Sequence, residues 1–215
     1  MKQLLTNKIT RGELNKFLKT HSGAGKTLNI GSGGLQSSNY FPNVIGLDIS
    51  KAATPDILGD SHYLPFKEES FDVILCTEVL EHLKQPQKAI DEMRRVVKRG
   101  GELLLTTRFI FPLHDTPCDY FRYTKYGLRY LLRDWNVVQI TEETDTIGTL
   151  AVLLQRIAYQ CEVLRFKPFK GLFHLWAHLT KRLGFIVTKE YGVFYDRILE
   201  QKIMTSGYYV VAIKM

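Results

Sequence analysis

Short apolar runs alternate with amphipathic stretches along most of this chain, and that alternation limits its fold more than any other feature of the sequence. The runs are Thr27 to Ile30, NVIGLDI (43–49), FDVILC (71–76), GELLLTTRF (101–109), NVVQIT (136–141) and GYYVVAIKM (207–215). Between the third and fourth, EVLEHLKQPQKAIDEMRRVVKRGG sets Ala89, Ile90, Met93, Val96 and Val97 on one helical face. Pro86 breaks its early part into a turn or kink, and the glycines at 100–101 read as its stop. KYGLRYLLRDW reads as a further helix. Strands apolar on both faces, separated by helices, imply an α/β protein with a mostly parallel, doubly wound sheet. At 215 residues, 45% of them hydrophobic, the chain can bury a core and suits a single domain over 1–215.

Two stretches stand outside this rhythm. Residues 1–24 hold a short N-terminal helix, for which Thr10-Arg11-Gly12-Glu13 fits a capping box ahead of Leu14, Phe17 and Leu18. Residues 147–190 read as two inserted helices before the last strand. Their apolar stripes are Leu150, Leu153, Leu154, Ile157, Ala158, Cys161 and Leu164, then Leu172, Leu175, Trp176, Leu179 and Leu183 after a break at Pro168. The stripes are expected to bury, making the insertion a lid on the acceptor side. The second helix sets Lys170, Lys181 and Arg182 against Phe173 and Trp176, a character also suited to contact with a membrane surface.

The net charge of +7 favours anionic partners without choosing among them. Cys76, Cys118 and Cys161 are an odd count with no metal-site spacing, which points to a reduced, cytoplasmic setting. The first residues lack the apolar core of a signal peptide, and no segment is apolar for long enough to span a bilayer. His174 and His178 lie four apart on a helix but lack a third ligand nearby, so no metal site is read.

The stretch LNIGSGGLQ (28–36) follows the first strand with a glycine cluster, where a ligand of an open α/β sheet is expected. A phosphate-binding P-loop is excluded because its Gly-Lys-Ser/Thr ending is missing. Gly23-Ala24-Gly25-Lys26-Thr27 imitates one but runs into a strand. The dinucleotide fingerprint fails at Gln36, which stands where its third glycine belongs. Asp48 ends the second strand, suitably placed for ribose hydroxyls, and Asp60 precedes the third, in reach of an adenine amine. Ribose and adenine contacts without a pyrophosphate grip describe an adenosine whose 5′ side is not a phosphate chain.

LNIGSGG, GLDIS, GDSHYLPFKEESFDVILCTEVLEHL and VVKRGGELLLTT, in that order, resemble the successive motifs of class I S-adenosylmethionine-dependent methyltransferases, closest to the type 11 small-molecule branch related to quinone-biosynthesis enzymes. The resemblance covers roughly residues 25–140 and the final strand. It implies a Rossmann-like, seven-stranded sheet with an antiparallel last strand, and S-adenosyl-L-methionine as cofactor. Asn29, Gly31, Ser32 and Gly33 would then lie against the cofactor's methionine part. Asp48 and Ile49 would meet its ribose, Asp60 and Ser61 its adenine, and Cys76, Thr77 and Glu78 its sulfonium. Asn29 stands where the family carries an acidic residue, and Gly34-Leu35 displace the customary third glycine.

The acceptor side is read from FPLHDTPCDYFRYT (111–124), which follows the strand at 101–109. His114 or Asp115 is the candidate base for a hydroxyl, while His82, Tyr120, Arg122 and Tyr123 are candidates to bind substrate. A structural pairing of Arg122 with Asp119 is the competing account of that loop, and Glu81 is read as structural or solvated. The Asp/Asn-Pro-Pro-aromatic signature of nucleic-acid amino-methyltransferases is replaced by Cys76-Thr77-Glu78-Val79, so nucleic acid is not the expected acceptor. The expected function is methyl transfer, at oxygen, to a small or lipid-linked metabolite, in the cytoplasm or peripherally at a membrane. The rivals are a non-catalytic binding module of the same fold and, behind it, an RNA methyltransferase.

Overall fold

The structure is a computed structural model that describes residues 8–33, 37–163, 167–187, 189–193, 198–200 and 202–215. The displaced glycine Gly34, with Leu35 and Gln36, and Leu164 of the first helical stripe lie outside the described residues. The chain forms two compact units. One comprises Leu18–Arg108, Leu113–Thr141 and Tyr208–Met215; the other comprises Met1–Phe17, Phe109–Pro112 and Glu142–Gly207.

The first unit is built on a seven-stranded sheet. Its strands are β1 (Thr27–Ile30), β2 (Val44–Asp48), β3 (Ile57–Leu58), β4 (Phe71–Thr77), β5 (Val97–Arg108), β6 (Asn136–Glu142) and the last, β9 (Gly207–Ile213). Their order is β3-β2-β1-β4-β5-β9-β6. β3, β2, β1, β4 and β5 are mutually parallel, with Leu28 beside Ile45 on one side and Ile74 on the other. β9 runs against β5: the Gly100 amide donates to the Lys214 carbonyl (2.8 Å) at one end, and Phe109 to Ser206 (3.0 Å) at the other. All of β1 is buried, as are Ile74, Leu75 and Cys76 of β4, Leu103 to Leu105 of β5 and Tyr208 to Ala212 of β9. Cover on both faces is what the unbroken apolar runs require.

α2 (Pro86–Val96) buries Ala89, Ile90, Met93 and Val96. Pro86 occupies its first turn, where a missing N–H costs nothing, so the proline starts the helix. The residues before it form a separate 3₁₀ turn, Leu80–His82. The helix stops at Val96, earlier than the glycines suggest. Val97 is already extended, and Gly100, at φ 74°, turns the chain within the long β5 segment. α3 (Lys125–Leu131) is capped by the Thr124 hydroxyl, which accepts from the Gly127 amide at 3.1 Å.

The second unit contains most of α1 (Ile9–Thr20), α4 (Thr146–Val163), α5 (Lys167–Lys181) and a hairpin of β7 (Tyr191–Val193) and β8 (Ile198–Leu199). The expected capping box does not form. α1 begins at Ile9, so Thr10 sits buried inside its first turn, and Glu13 pairs with Lys16 at 3.1 Å. The Ile9 amide is satisfied instead by the Gln155 side-chain oxygen of α4, at 3.0 Å. The helical stripes are also rotated from the expected faces. In α4 the buried residues are Ala151, Val152, Gln155 and Ala158, while Leu150 and Ile157 are exposed. In α5, His174 and Ala177 are buried, and Leu175, Trp176 and Leu179 stay nearly half exposed. Small residues let the two helices approach closely, which turns the bulky residues outward. Among the described residues no helix is long and apolar enough to cross a membrane.

The sharpest local constraint lies just after β1. Gly31 has φ 67°, and a Cβ there would stand 2.2 Å from Cγ2 of Val79. Val79 is β-branched and has little rotamer freedom to yield. Gly31→Ala should therefore destabilise the chain by about 1–3 kcal/mol, from the left-handed backbone and the clash together. Urea denaturation checks this, and a midpoint unchanged from the parent would show that the turn relaxes freely.

Candidate active site

The order of the sheet reverses at β1, which has β2 on one side and β4 on the other. Such a switch point opens a crevice beyond the C-terminal strand ends. Here it is a cleft of about 850 Å³ within the first unit. Ten of the residues expected from sequence line it. Gly31, Gly33, Asp48, Ile49, Asp60 and Ser61 come from the loops after β1, β2 and β3, and Glu78, His82, Asp115 and Tyr120 from those after β4 and β5.

On the β1–β3 side the backbone is drawn tight. The amides of Gly31 and Ser32 both donate to the Leu47 carbonyl, at 2.8 and 3.2 Å. The Asp48 carboxylate accepts from the Gly33 amide (3.1 Å) on one oxygen and the Ser50 amide (2.8 Å) on the other. Each oxygen keeps a second lone pair, so Asp48 is fixed in place and can still accept from a vicinal diol. Asp60 accepts on Oδ1 from the His62 amide (2.9 Å) and ring Nδ1 (2.6 Å), which leaves Oδ2 for a ligand. Burial opposes the charge on Asp60, but the His62 bonds outweigh it and hold the carboxyl below its ordinary range. His62 Nε2 in turn accepts from the Gln85 amide at 3.3 Å, which fixes the proton on Nδ1. The glycine turn with no room for a Cβ, and two oriented carboxylates lining the same cleft, fit S-adenosylmethionine.

Asn29, Ser32, Cys76 and Thr77 do not border the cleft. Asn29 is enclosed beneath it, its amide nitrogen bonded to Ser37 Oγ at 3.1 Å. Cys76 is fully buried, and burial, with the nearby Glu81, pushes its thiol pKa far up, so the thiol stays protonated. Glu78 is the exposed member of this stretch. Its backbone has φ 57°, its amide donates to Thr106, and its carboxylate pairs with buried Arg108.

The β4–β5 side holds a compact cluster of polar groups. Glu81 is fully buried. Its Oε2 accepts from the Thr107 hydroxyl at 2.8 Å, and its main-chain carbonyl accepts from the amides of Tyr120 and Phe121. Burial pushes the Glu81 carboxyl up, against the partial opposition of Thr107 and Arg108. His82 Nδ1 donates to the Cys118 carbonyl (2.6 Å), and the rings of His82 and His114 meet edge to face at 4.7 Å. Burial, with His82 and Arg122, lowers the His114 pKa against Asp119 and Asp115, so its imidazole is neutral at physiological pH.

Asp119 anchors this loop. It accepts from Arg122 on both oxygens, each at 2.6 Å, and from the His114 amide at 3.0 Å. Arg122 thus gives its terminal nitrogens to Asp119, the structural pairing weighed against substrate binding. Tyr123 donates to the Leu80 carbonyl (3.3 Å), and its burial raises the phenol pKa. Neither side chain lines the cleft, whereas Tyr120 does. Sequence reasoning did not single out His62, named Asp119 only as a structural partner for Arg122, and read Glu81 only as structural or solvated. The one available signal was the nearness of each to a residue that was singled out.

Arg122 is the main reason that the Asp119 carboxyl lies well below the usual range, against an opposing contribution from burial. A depressed carboxyl stabilises the fold fully above its unfolded pKa of about 4, and that contribution disappears as pH falls through the folded value. Arg122→Ala should therefore be less stable than the parent at neutral pH, with the gap narrowing as pH drops well below 4. Urea titrations of both proteins across this range measure it; a gap that does not change with pH would separate the pair from stability.

A methyltransferase-domain family profile matches residues 28–105. An uncharacterised protein of Methanocaldococcus jannaschii is 38% identical over 96 residues, 41% of this chain and 47% of that one. A demethylmenaquinone methyltransferase of Renibacterium salmoninarum is 34% identical over 122 residues, 49% of each. The chain spans about half the length of these curated relatives. Among solved structures, the YcgJ protein of Bacillus subtilis shares the fold with a TM-score of 0.56 at 16% identity, over 95% of this chain and 98% of that one. A Haemonchus contortus phosphoethanolamine N-methyltransferase in complex with S-adenosyl-L-methionine does so with a TM-score of 0.57 at 16% identity, over 95% and 52%. Residues 28–105 thus match a methyltransferase-domain family, and the sheet built around them has the fold of solved methyltransferases.

Proposed function

We propose that the protein transfers the methyl group of S-adenosylmethionine to an oxygen of a small or lipid-linked metabolite. The observation that carries this reading is one cleft with two ends. Asp48 and Asp60 form the nucleoside end, and His82, Asp115 and Tyr120 the other. Methyl transfer from a sulfonium is an in-line displacement. Holding donor and acceptor within reach and keeping water out accounts for much of the rate. Asp48 orients the ribose, Gly31 allows the methionine part close to the backbone, and Asp60 with the Ser61 amide reads the adenine. At the other end, Asp115 is an exposed carboxylate on a φ of 50°, with Oδ2 3.9 Å from His82 Nε2. With neutral His114 behind it, it is the base that takes the proton of an acceptor hydroxyl.

The named substrate of the Renibacterium relative, demethylmenaquinone, supports a lipid-linked acceptor. So does α5, whose outward residues include Phe169, Leu175, Trp176 and Leu179 next to Lys170 and Arg182. This mixture of apolar and basic groups suits the interface of an anionic membrane.

Asp48→Ala should weaken S-adenosylmethionine binding by about 1.5–3 kcal/mol through loss of charge-assisted bonds to the ribose. Isothermal titration reads this directly, and unchanged affinity in a folded variant would remove the cofactor assignment. No binding by the parent would favour a non-catalytic module.

The protein should also co-sediment with anionic vesicles more than with neutral ones, and added salt should weaken that binding. Charge reversal at Lys170, Lys181 and Arg182 should reduce it and leave cofactor affinity unchanged. Equal binding to neutral lipid, or none to either, would confine the acceptor to soluble metabolites.

A further inference from the structure

We propose that Glu81, His82 and His114 bind a divalent first-row metal ion at the acceptor end of the cleft, with Asp115 as a fourth ligand. One ligand atom from each of the first three lies within 4.8 Å of the others. Around an ion at about 2.0–2.2 Å such atoms stand about 3.5 Å apart, so modest side-chain rotations close the site.

Hydrogen bonds already hold the second atom of His82 and of Glu81, and the second nitrogen of His114 faces a carboxylate. His82 donates from Nδ1 to the Cys118 carbonyl at 2.6 Å, so its Nε2 carries the lone pair. That Nε2 lies 3.9 Å from Asp115 Oδ2. His114 turns Nδ1 toward Asp119 Oδ2, at 3.4 Å, and Nε2 toward Glu81 Oε1, at 3.9 Å. Asp119 is itself fixed by Arg122. A carbonyl or carboxylate behind each imidazole is the usual outer shell of a metal-bound histidine.

Glu81 supplies the independent observation. Its Oε2 is satisfied by Thr107, but Oε1 is completely buried and has no hydrogen-bond partner among the described residues. A buried carboxylate oxygen left unpaired is costly, and a cation shared with two imidazoles is the chemistry that satisfies it. Two nitrogen donors with one or two carboxylates favour zinc, manganese or ferrous ions over magnesium or calcium.

His82 and Asp115 also line the cleft, so the ion faces the acceptor. Its catalytic role rests on the methyl-transfer reading; its binding does not. It selects an acceptor whose hydroxyl, with a neighbouring oxygen, can ligate it. The ion lowers the hydroxyl's pKa, and the proton leaves through Asp115 to solvent. The oxygen then forms the new O–C bond as the S–C bond breaks, and the bonding pair remains on the sulfur of S-adenosylhomocysteine.

The test is titration of the full, chelator-treated chain with Zn²⁺ and with Mn²⁺, alongside S-adenosylmethionine titrations of the same samples. One ion per chain is expected, with affinity falling at least tenfold in Glu81→Gln and in His114→Ala while cofactor affinity is kept. Mg²⁺ should bind more weakly than either. His82→Ala provides a variant at the cleft wall should Glu81→Gln fail to fold. Absence of saturable binding, or equal binding in folded His82→Ala and His114→Ala, would overturn the site and assign a proton to Glu81 instead. Metal binding without cofactor binding would overturn the methyl-transfer reading alone, and the reverse would overturn only this one.

Discussion

The close approach of Gly31 to Val79 is the contact on which the first unit's functional geometry depends. Parallel strands carry their loops out at one end, and the reversal of strand order leaves the loops after β1 and β4 facing each other. A side chain on residue 31 would push these two loops apart. Without it, the backbone after β1 folds back on the Leu47 carbonyl, and the amide of Gly33 reaches the Asp48 carboxylate. The shape of the cleft at Asp48 therefore follows from a missing methyl group. The turn also sets where Glu78 and Val79 must stand across from it.

From Glu78 to His82 the chain serves both ends of the cleft and the sheet beneath. The 3₁₀ turn over Leu80–His82 points successive side chains in different directions. Glu78 lines the cleft and Glu81 is fully buried, and buried Arg108 of β5 acts on both. Arg108 pairs directly with Glu78 and acts on Glu81 through space. Burying this much charge is tolerable because the members are held by opposite charge or by hydrogen bonds. The Glu81 backbone carbonyl also tethers Tyr120 and Phe121, so the loop after β5 is fastened to the loop after β4 at a buried point.

Six of the seven strands of the sheet were legible in the sequence because burial on both faces demands an unbroken apolar run. The seventh, β3, is two residues long and half polar in its surroundings, too short for any periodicity to register. The hairpin of β7 and β8 escaped for the same reason. The helices inserted before β9 were legible as helices, but their buried faces were not. Apolar spacing marks a helix reliably, whereas which flank buries is decided by close contact between small residues such as Ala151, Ala158 and Ala177. At the site, residues announced by the turn after a strand end, Gly31, Asp48 and Asp60, line the cleft. Residues judged by residue type alone fared differently. Arg122 is committed to Asp119, and Glu81, a carboxylate among apolar neighbours, has no sequence signal for total burial.

The two ends of the cleft are held by different kinds of order. At the nucleoside end, backbone amides do the positioning, so Asp48 and Asp60 are placed by strand ends that the sheet makes rigid. At the other end, side chains and loop backbone hold one another: Arg122 holds Asp119, Asp119 holds the His114 amide, and the Cys118 carbonyl holds His82. An arrangement of the first kind needs few particular residues and tolerates variation around it. One of the second kind fails if any member is lost, because each buried partner is then left unsatisfied. Under the proposed function, the end at Asp48 and Asp60 receives the one cofactor. Under the same reading, the end at His82, Asp115 and Tyr120 is where a change of side chain would redirect the chemistry, since the residues of its loop are oriented largely by one another.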